Sequence, residues 1–204
     1  MAFLTFEGIE GCGKSTQAQR LCARLSRDPL LTCEPGGTAL GRSIRELLLE
    51  PARGAMSPVS EALLYLADRA QHVAEVIRPA LENGRTVVSD RYVDSTLAYQ
   101  GYGRGLPMDL LLAVAELATG GLRPDLTLFL DVPVELGLQR VGKRGRHDRL
   151  ESERIEFHER VRRGYLELIE REPRRWTLVD GQGTEDEVAA RVDAAVARSG
   201  VLGG

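Results

Sequence analysis

The stretch AFLTFEGIEGCGKST, residues 2–16, decides the fold. It begins with a short apolar run and continues into GIEGCGKST, which fits the pattern G-x-x-x-x-G-K-[S/T] from Gly8 to Ser15. A helical pattern follows from Lys14. Glycines in such a loop allow sharp turns that aim successive backbone N–H groups at a phosphate, at the start of a helix. The sequence therefore predicts a strand, a phosphate-binding loop and a helix, and with them a site for a nucleoside triphosphate.

The side chains of this loop suggest separate roles. Lys14 would bring a positive charge to the β and γ phosphates, and the Ser15 hydroxyl is a candidate Mg²⁺ ligand. A glycine-rich turn with a surface lysine is the alternative, but the strand before it and the helix after it argue against that reading. Contacts with the nucleotide are expected from Gly8, Ile9, Glu10, Gly11, Cys12, Gly13, Lys14, Ser15 and Thr16.

The loop by itself does not name a reaction, because GTPases, ATPases and small-molecule kinases share it. The sequence lacks the N-K-x-D motif expected of a guanine-reading GTPase. A motor or transport ATPase usually needs a longer chain. A second set of residues must identify the acceptor.

Composition narrows the class of protein. The 204 residues include 43% hydrophobic ones, enough for one buried core, so we expect a single domain over residues 1–204. With 27 basic and 30 acidic residues the net charge is -3, which argues against nucleic acid or a membrane surface as partner. Three cysteines without metal-ligand spacing, and no signal-peptide pattern, lead us to expect a cytoplasmic protein.

Short apolar runs alternate with helical patterns along the whole chain. This alternation predicts an α/β fold, a doubly wound five-stranded parallel sheet with helices on both faces. The predicted strands are Ala2–Glu7, Leu30–Cys33, Thr86–Ser89, Leu126–Asp131 and Trp176–Val179. The predicted helices are Lys14–Ser26, Gly41–Leu49, Ser57–Asn83 with a candidate break at Pro79, Met108–Thr119, Val134–Arg140, Arg154–Glu170 and Thr184–Arg198.

Ligands of such sheets bind at the carboxyl ends of the strands, which draws attention to the residues after the third strand. Asp90 could hold Mg²⁺ and Arg91 could bind an acceptor phosphate, although a simple ion pair at a strand end is the alternative.

Tyr65 and Arg69 share a helix face that could hold a base, or they could be a half-buried tyrosine and a solvated arginine. Ser95 with Tyr99, and Thr96 with Gln100, would form two polar stripes; for Ser95 we favour an ordinary polar loop.

A basic segment follows the fourth strand and its helix. It holds Arg140, Lys143, Arg144, Arg146 and Arg149 against one acid, Asp148. Cations around a moving phosphoryl group are the main contribution of a protein to this chemistry, so residues 141–150 are a candidate lid; a solvated surface is the alternative. We expect no catalytic role for His72, His147 or His158, which we assign to solvated or structural positions.

Five motifs in order resemble the bacterial thymidylate kinases, within the P-loop nucleoside monophosphate kinases. They are GIEGCGKST, CEPGGT (33–38), LLYLADRAQ (63–71), SDRYVDSTLAYQGYGRG (89–105) and PDLTLFLDVP (124–133). A sixth similar stretch, KRGRHDRLE (143–151), follows them. The resemblance covers nearly the whole chain. It implies transfer of the γ-phosphoryl group of ATP to dTMP, giving dTDP and ADP, with Mg²⁺ as cofactor and a homodimer as the assembly.

The resemblance also implies roles for individual residues. Thymine would lie between Tyr65 and Arg69, with Thr96 and Gln100 at the base edge. Tyr99 would disfavour a ribose 2′-hydroxyl, and Glu10 would accept a hydrogen bond from the 3′-hydroxyl. The CEPGGT turn, with Pro35, and Arg45 would form a second wall near the acceptor phosphate. The implied catalytic residues are Lys14, Arg91, Arg146 and Arg149.

Two positions deserve comparison with the family. Many bacterial members carry arginine where this chain has Cys33, so either a basic contact or a brace of the loop differs from the family here. Glu10 occupies the position where eukaryotic-type members carry arginine, an arrangement that goes with a catalytic arginine supplied by the lid, here Arg146 or Arg149. Glu7 is expected to brace a loop or pair with an arginine. Other nucleotide kinases and a non-catalytic nucleotide sensor are the rival functions.

Overall fold

The computed structural model describes residues 1–26, 28–50, 56–143 and 148–202. Its sheet has five parallel strands in the order β2-β3-β1-β4-β5. The predicted α/β class with a five-stranded parallel sheet is confirmed, and each strand end lies within one residue of its predicted position. The strands are β1 (Phe3–Glu7), β2 (Leu30–Cys33), β3 (Val87–Asp90), β4 (Leu126–Asp131) and β5 (Trp176–Asp180).

Helices connect the strands and continue after the last one. In the described ranges they are α1 (Lys14–Arg24), α2 (Ala39–Leu49), α3 (Pro58–His72), α4 (Arg78–Glu82), α5 (Val93–Thr96), α6 (Met108–Thr119), α7 (Val134–Gly142), α8 (Ile155–Arg171) and α9 (Glu185–Ser199). Among these described helices, none combines the length and apolar character that a bilayer crossing requires.

Two π-helical segments interrupt the regular helices. Val73–Ile77 joins α3 to α4, and Leu97–Gly103 continues α5. The helical run therefore passes through Pro79, where the sequence suggested a break. A wider turn before the proline relieves the clash between its ring and the preceding carbonyl. The second segment carries Tyr99 and Gln100 of the predicted polar stripes, and α5 carries Ser95 and Thr96. π-Helical turns are frequent at functional sites.

Helices cover both faces of the sheet, because alternate residues of each buried strand point to opposite sides. Helix α1 packs on β1, β2 and β3, and α9 packs on α1, β4 and β5. On the other face, Glu7 reaches the Ser95 hydroxyl after β3 and the Tyr165 hydroxyl on α8. The sheet is thus a rigid central layer that fixes the loops at its carboxyl edge.

Each strand ends at this edge with a polar or ionisable residue. Cys33 lies beside Asp90 in the register of β2 and β3, and Asp131 lies beside Asp180 in β4 and β5. Glu7 ends the central strand and is completely buried. The parallel arrangement therefore collects side chains from distant parts of the chain on one side of the molecule.

Candidate active site

A cavity of about 660 Å³ lies at the carboxyl edge of the sheet. The phosphate-binding loop, the end of β2 and the turn after β3 contribute to its wall, as do α2, α3 and the residues Asp148, Leu150 and Glu151. Every predicted substrate-binding residue except Arg69 lines it, and so do both predicted Mg²⁺ ligands. The structure therefore brings the phosphate loop and the predicted acceptor residues into one compartment.

The phosphate-binding loop holds its lysine inside the turn. Lys14 Nζ donates hydrogen bonds to the carbonyl oxygens of Gly8 at 3.0 Å and Ile9 at 2.8 Å. Gly13 precedes α1 with a φ of 97°, a left-handed conformation that favours glycine. The amino group of Lys14 thus lies within the loop, at the start of a helix, where an anion is favoured by the free N–H groups and the helix dipole.

Ser15 and Asp90 meet on the cavity wall. The Ser15 hydroxyl donates a hydrogen bond to Asp90 Oδ2, and Asp90 Oδ1 is buried without a hydrogen-bond partner among the described residues. An unpaired buried carboxylate oxygen next to a hydroxyl is a good ligand pair for a hard cation. The described part of the chain contains no group of three or more His, Cys, Asp or Glu side chains arranged to hold a metal ion. A cation here would need phosphate or water oxygens to complete its coordination.

Arg91 directly follows β3 and turns back over the phosphate-binding loop. Its backbone has a φ of 74°, which is strained for a residue other than glycine and is typical of functional sites. Its Nη1 donates to the carbonyl of Gly8 at 3.3 Å and to Ser95 Oγ at 3.1 Å. Its Nη2 donates to Glu10 Oε1 at 3.1 Å and to Tyr99 Oη at 3.2 Å. The guanidinium thus lies at the junction between the loop and the acceptor side of the cavity.

Glu7 maintains this strained turn from below. It accepts hydrogen bonds from the backbone N–H of Tyr92 at 2.8 Å and from the hydroxyls of Ser95 and Tyr165 at 2.6 and 2.8 Å. Burial, and then the charge of Asp94, raises the pKa of Glu7 to about 7. The expected bracing role is present, but the braced loop is the one after β3. Ser95, which we assigned to an ordinary polar loop, is part of the cavity wall and of this network.

Glu10 is an anion held in place on both carboxylate oxygens. Tyr99 Oη donates to its Oε1 at 2.6 Å, and His158 Nδ1 lies 3.2 Å from its Oε2. Burial would raise the pKa of Glu10, but the hydrogen bond with His158, the charges of Arg91 and Lys14, and the Tyr99 hydroxyl lower it to about 2. Glu10 therefore faces the cavity as a carboxylate at any neutral pH.

The histidines differ from their expected surroundings. His158 and His72 are both fully buried rather than solvated. His72 lies 2.8 Å from Glu34 Oε1 through Nδ1, which fits the structural alternative, whereas His158 contacts the site through Glu10. No local pattern could have predicted this contact, because His158 and Glu10 are 148 residues apart in the chain. His147 lies outside the described residues.

Of the two residues predicted to hold the base, only one lines the cavity. Tyr65 lines the cavity, but Arg69 lies behind the wall with 1% of its surface exposed. Its Nε donates to Glu34 at 2.7 Å, and its Nη1 donates to Thr96 Oγ1 at 2.7 Å. The expected position of Arg69 on the cavity wall is therefore corrected. The buried Glu34 carboxylate holds the Arg69 guanidinium behind the wall, and Arg69 contacts Thr96, which lines the cavity.

Basic residues lie at the opposite end of the cavity. Arg45 lines it and donates to the carbonyl of Pro35 at 2.8 Å. Arg42, one turn earlier on α2, is exposed and also lines the cavity, although the sequence analysis did not select it. Cys33 lines it as well, and burial raises the pKa of its thiol. With a neutral thiol at Cys33, this wall carries one positive charge fewer than it would with an arginine there.

The lid prediction is only partly within the described residues. Arg146 lies outside them. Arg149 does not line the cavity: its Nη1 is 2.6 Å from Glu61 Oε2, and its Nε donates to the carbonyl of Leu48 at 2.9 Å. The buried Glu61 carboxylate thus holds the Arg149 guanidinium outside the cavity wall. The catalytic role of Arg149 stays a prediction.

Comparisons with known proteins identify the family. The family model described as thymidylate kinase matches residues 6–192. The chain belongs to the thymidylate kinase family. It is 52% identical to a thymidylate kinase of Desulfovibrio desulfuricans over 204 residues, covering 95% of this chain and 94% of that protein. It is also 52% identical to a thymidylate kinase of Deinococcus radiodurans over 201 residues, covering 97% of each chain.

Membership of the thymidylate kinase family agrees with the geometry. The matched range contains the phosphate-binding loop, the strained turn at Arg91, the base wall at Tyr65 and the contact of His158 with Glu10. These features come from four separate segments and meet at one cavity.

Proposed function

We propose that the protein transfers the γ-phosphoryl group of ATP to dTMP, giving dTDP and ADP. Family membership supports the reaction, and the observation that carries it is the position of Arg91. Its guanidinium lies 3.3 Å from the carbonyl of Gly8 in the phosphate-binding loop while its other nitrogen contacts Glu10 and Tyr99. A donor phosphate and an acceptor phosphate bound on the two sides of Arg91 would meet in line, and phosphoryl transfer depends mainly on such alignment.

The donor end is assigned to the phosphate-binding loop. Lys14 would exchange its hydrogen bonds to loop carbonyls for the β and γ phosphates of ATP, and Gly8, Ile9, Gly11, Cys12, Gly13 and Thr16 complete the predicted loop contacts. For Mg²⁺, Ser15 and Asp90 fit as ligands, because Asp90 Oδ1 is buried and unpartnered among the described residues. Bound there, Mg²⁺ would neutralise charge on the phosphates.

The acceptor end is assigned to the rest of the cavity. Arg91 and Arg45 would hold the dTMP phosphate, with Pro35 fixing Arg45 through its carbonyl. The ionised Glu10 would accept a hydrogen bond from the 3′-hydroxyl, and Tyr99, fixed by Glu10 and Arg91, would stand against a ribose 2′-hydroxyl.

The base would stack on Tyr65, with Thr96 and Gln100 at its edge. Both polar side chains are 1% exposed and line the cavity, so their positions are fixed before a base arrives. Arg69 supports Thr96 from behind, and the direct donation to the base that the sequence suggested stays a prediction. The phosphate of a nucleotide monoester has a second pKa of about 6, so the acceptor needs no general base.

The wider organisation follows the same proposal. We assign residues 1–204 to one kinase domain with a lid at about 141–150, in which Arg146 is the candidate for the cation on the transferring group. Arg149 contributes to the lid through its contact with Glu61. We place the reaction in the cytoplasm, in agreement with the three cysteines, which are free.

We also propose a homodimer formed through α3 and α6. These helices pack on each other, and their outer faces expose Val59 and Leu63 on α3 and Leu110 and Leu117 on α6, the last with 84% of its surface exposed. An apolar face of this kind is typical of an interface between subunits. Sedimentation should give a dimer for the wild type and a monomer for Leu117→Arg, while Leu178→Arg, at an exposed position on β5, should remain a dimer. A monomeric wild type would contradict the proposal.

An acceptor panel tests the function. With ATP and Mg²⁺, the protein should convert dTMP in preference to dUMP, UMP, CMP, AMP and thymidine. Turnover of AMP without turnover of dTMP would favour another nucleotide kinase. A nucleotide sensor would instead bind ATP without acceptor-dependent turnover, and Lys14→Ala would then abolish partner binding with no kinase activity to lose.

A further inference from the structure

A buried carboxylate behind the base end of the cavity organises four groups. Glu61, in the first turn of α3, has no exposed surface. Its Oε1 accepts hydrogen bonds from Gln100 Nε2 at 2.9 Å and Arg104 Nε at 3.2 Å. Its Oε2 accepts from Arg104 Nη2 at 3.1 Å and lies 2.6 Å from Arg149 Nη1. Neither the motifs nor the spacing of the sequence selected Glu61 for a role beyond pairing with an arginine.

This contact determines which way the Gln100 amide faces. A glutamine side chain has a donor NH₂ group and an acceptor carbonyl oxygen, whereas an ionised carboxylate only accepts. The NH₂ group must therefore face Glu61, because a carbonyl oxygen there would meet a second negative oxygen. Gln100 lines the cavity, so its carbonyl oxygen is the end left to face a bound base.

The carboxylate keeps this arrangement under ordinary conditions. Burial would raise the pKa of Glu61, but the hydrogen bonds from Arg104 and Gln100 and the charges of Arg104 and Arg149 lower it. Arg104 is itself held by Glu153 at 2.7 Å and lies over the ring of Phe157 with its Cζ 4.6 Å from the ring centre. The acceptor character of Glu61 and the orientation of Gln100 are thus fixed by several independent contacts.

A fixed Gln100 carbonyl oxygen, which only accepts hydrogen bonds, would distinguish pyrimidine bases by whether their N3 donates or accepts. Thymine and uracil carry an N3–H donor, which a carbonyl accepts, whereas cytosine presents an unprotonated N3 acceptor at the same place. We propose that Glu61 is a positioning residue that selects thymine- and uracil-type bases over cytosine by fixing the amide of Gln100. The inference rests on the proposed function and assigns the specificity of the same site to a residue that does not touch the substrate.

Glu61→Gln tests the proposal with a nearly isosteric change. The oxygen of the new carboxamide is favoured on the side of Arg149 Nη1 and Arg104 Nη2, because two guanidinium donors lie there. The other side faces only one guanidinium donor, Arg104 Nε, and the Gln100 amide, which can turn. The new NH₂ group would therefore face Gln100 and give up the hydrogen bond with Arg104 Nε. Gln100 would then turn its carbonyl toward that NH₂ group and its own NH₂ toward the cavity. The expected result is a fall in kcat/KM for dTMP and a rise for dCMP, such that the ratio of the two drops by at least about 100-fold.

Glu153→Gln is the matched control. It removes one negative charge from the same arginine, Arg104, without a contact to Gln100. Its dTMP to dCMP ratio should stay within about twofold of the wild type. The proposal is overturned if Glu61→Gln keeps the wild-type ratio, if it lowers both activities equally, or if Glu153→Gln shifts the ratio to the same extent. Thermal unfolding of each variant identifies loss of fold.

A binding measurement on the wild type tests the orientation of Gln100 even if Glu61→Gln does not fold. dUMP and dCMP both lack the methyl group and differ at the edge that Gln100 would face. Calorimetry should show dUMP binding at least about 100-fold more tightly than dCMP. Equal affinities would refute the orientation of Gln100 and with it the role of Glu61. Failure of the wild type to phosphorylate dTMP would instead contradict the proposed function, so the two failures are distinguishable.

Discussion

Substitution of Gly137 should disturb the phosphate-binding loop from a helix that contributes nothing to the cavity wall. Gly137 lies in α7, and a Cβ added there would stand 2.5 Å from the carbonyl oxygen of Glu10 and 3.3 Å from Ile9 Cδ1. In the reverse direction, a Cβ on Gly11 would stand 2.1 Å from the carbonyl oxygen of Gly137. The two backbones are therefore in direct contact, and no side-chain rotation can make room.

The size of the effect follows from these distances. Real Cβ atoms essentially never approach another heavy atom within 3.0 Å, so Gly137→Ala must push α7 and the loop apart by at least 0.5 Å at Glu10. Misplacement by about 1 Å can cost about 100-fold in rate, so a shift of half that size predicts a fall of about tenfold in kcat/KM for ATP. Alanine favours a helix by up to about 1 kcal/mol, and overpacking costs about 1–3 kcal/mol, so the variant should remain folded.

Steady-state kinetics at varied ATP concentration, with thermal unfolding of each variant, checks this prediction. Gln139→Ala is the control: it places an alanine at an exposed position of the same helix, outside the proposed lid. Its kcat/KM for ATP should stay within about twofold of the wild type. Wild-type kcat/KM in Gly137→Ala, or an equal loss in Gln139→Ala, would refute the reasoning.

Two further predictions concern the carboxylates of the site. Asp90→Asn removes charge from the unpartnered buried oxygen, so the Mg²⁺ concentration for half-maximal activity should rise at least about tenfold, and an unchanged Mg²⁺ titration would count against the metal assignment. The pKa of Glu7 is raised to about 7 from 4.5 by burial first, so the folded state holds this proton more tightly than the unfolded state. Its contribution to the free energy of unfolding is fully present below pH 4.5 and is lost as the pH rises through about 7. In Glu7→Gln this loss is absent. Measured by urea unfolding, the free energy of unfolding of the variant should therefore rise relative to that of the wild type by up to about 3 kcal/mol between pH 4.5 and 8. A difference between the two proteins that stays constant over this pH range would contradict the raised pKa.

Much of the fold could be predicted because its signals are local. The strands Leu30–Cys33 and Leu126–Asp131 and the helix Met108–Thr119 have their predicted bounds, since each is a periodic or apolar run between turn residues. The π-helical segment Val73–Ile77 was missed, because a turn with one extra residue leaves the apolar pattern almost unchanged. Helix Val93–Thr96 and its π-helical continuation were absent from the predicted helices, where only two polar stripes were expected.

The site divides in the same way. The phosphate-binding loop and Asp90 with Arg91 could be found from their places after strands, because parallel strands put such residues at one edge. The inward position of Arg69, the pairing of Arg149 with Glu61 and the contact of His158 with Glu10 could not be found in this way. Each depends on which buried charges meet across elements that are distant in the chain.

The sequence by itself determined the alternation of strands and helices, the phosphate-binding loop and the family, since all of these are written in short contiguous motifs. Only the tertiary structure decided the strand order, the strained turn at Arg91, and which arginines face the cavity. The physical reason is that a buried charge must find a partner. Glu34 pairs with Arg69 behind the cavity wall, and Glu61 pairs with Arg149, which does not line the cavity either. These partners are determined by the packing of the folded chain.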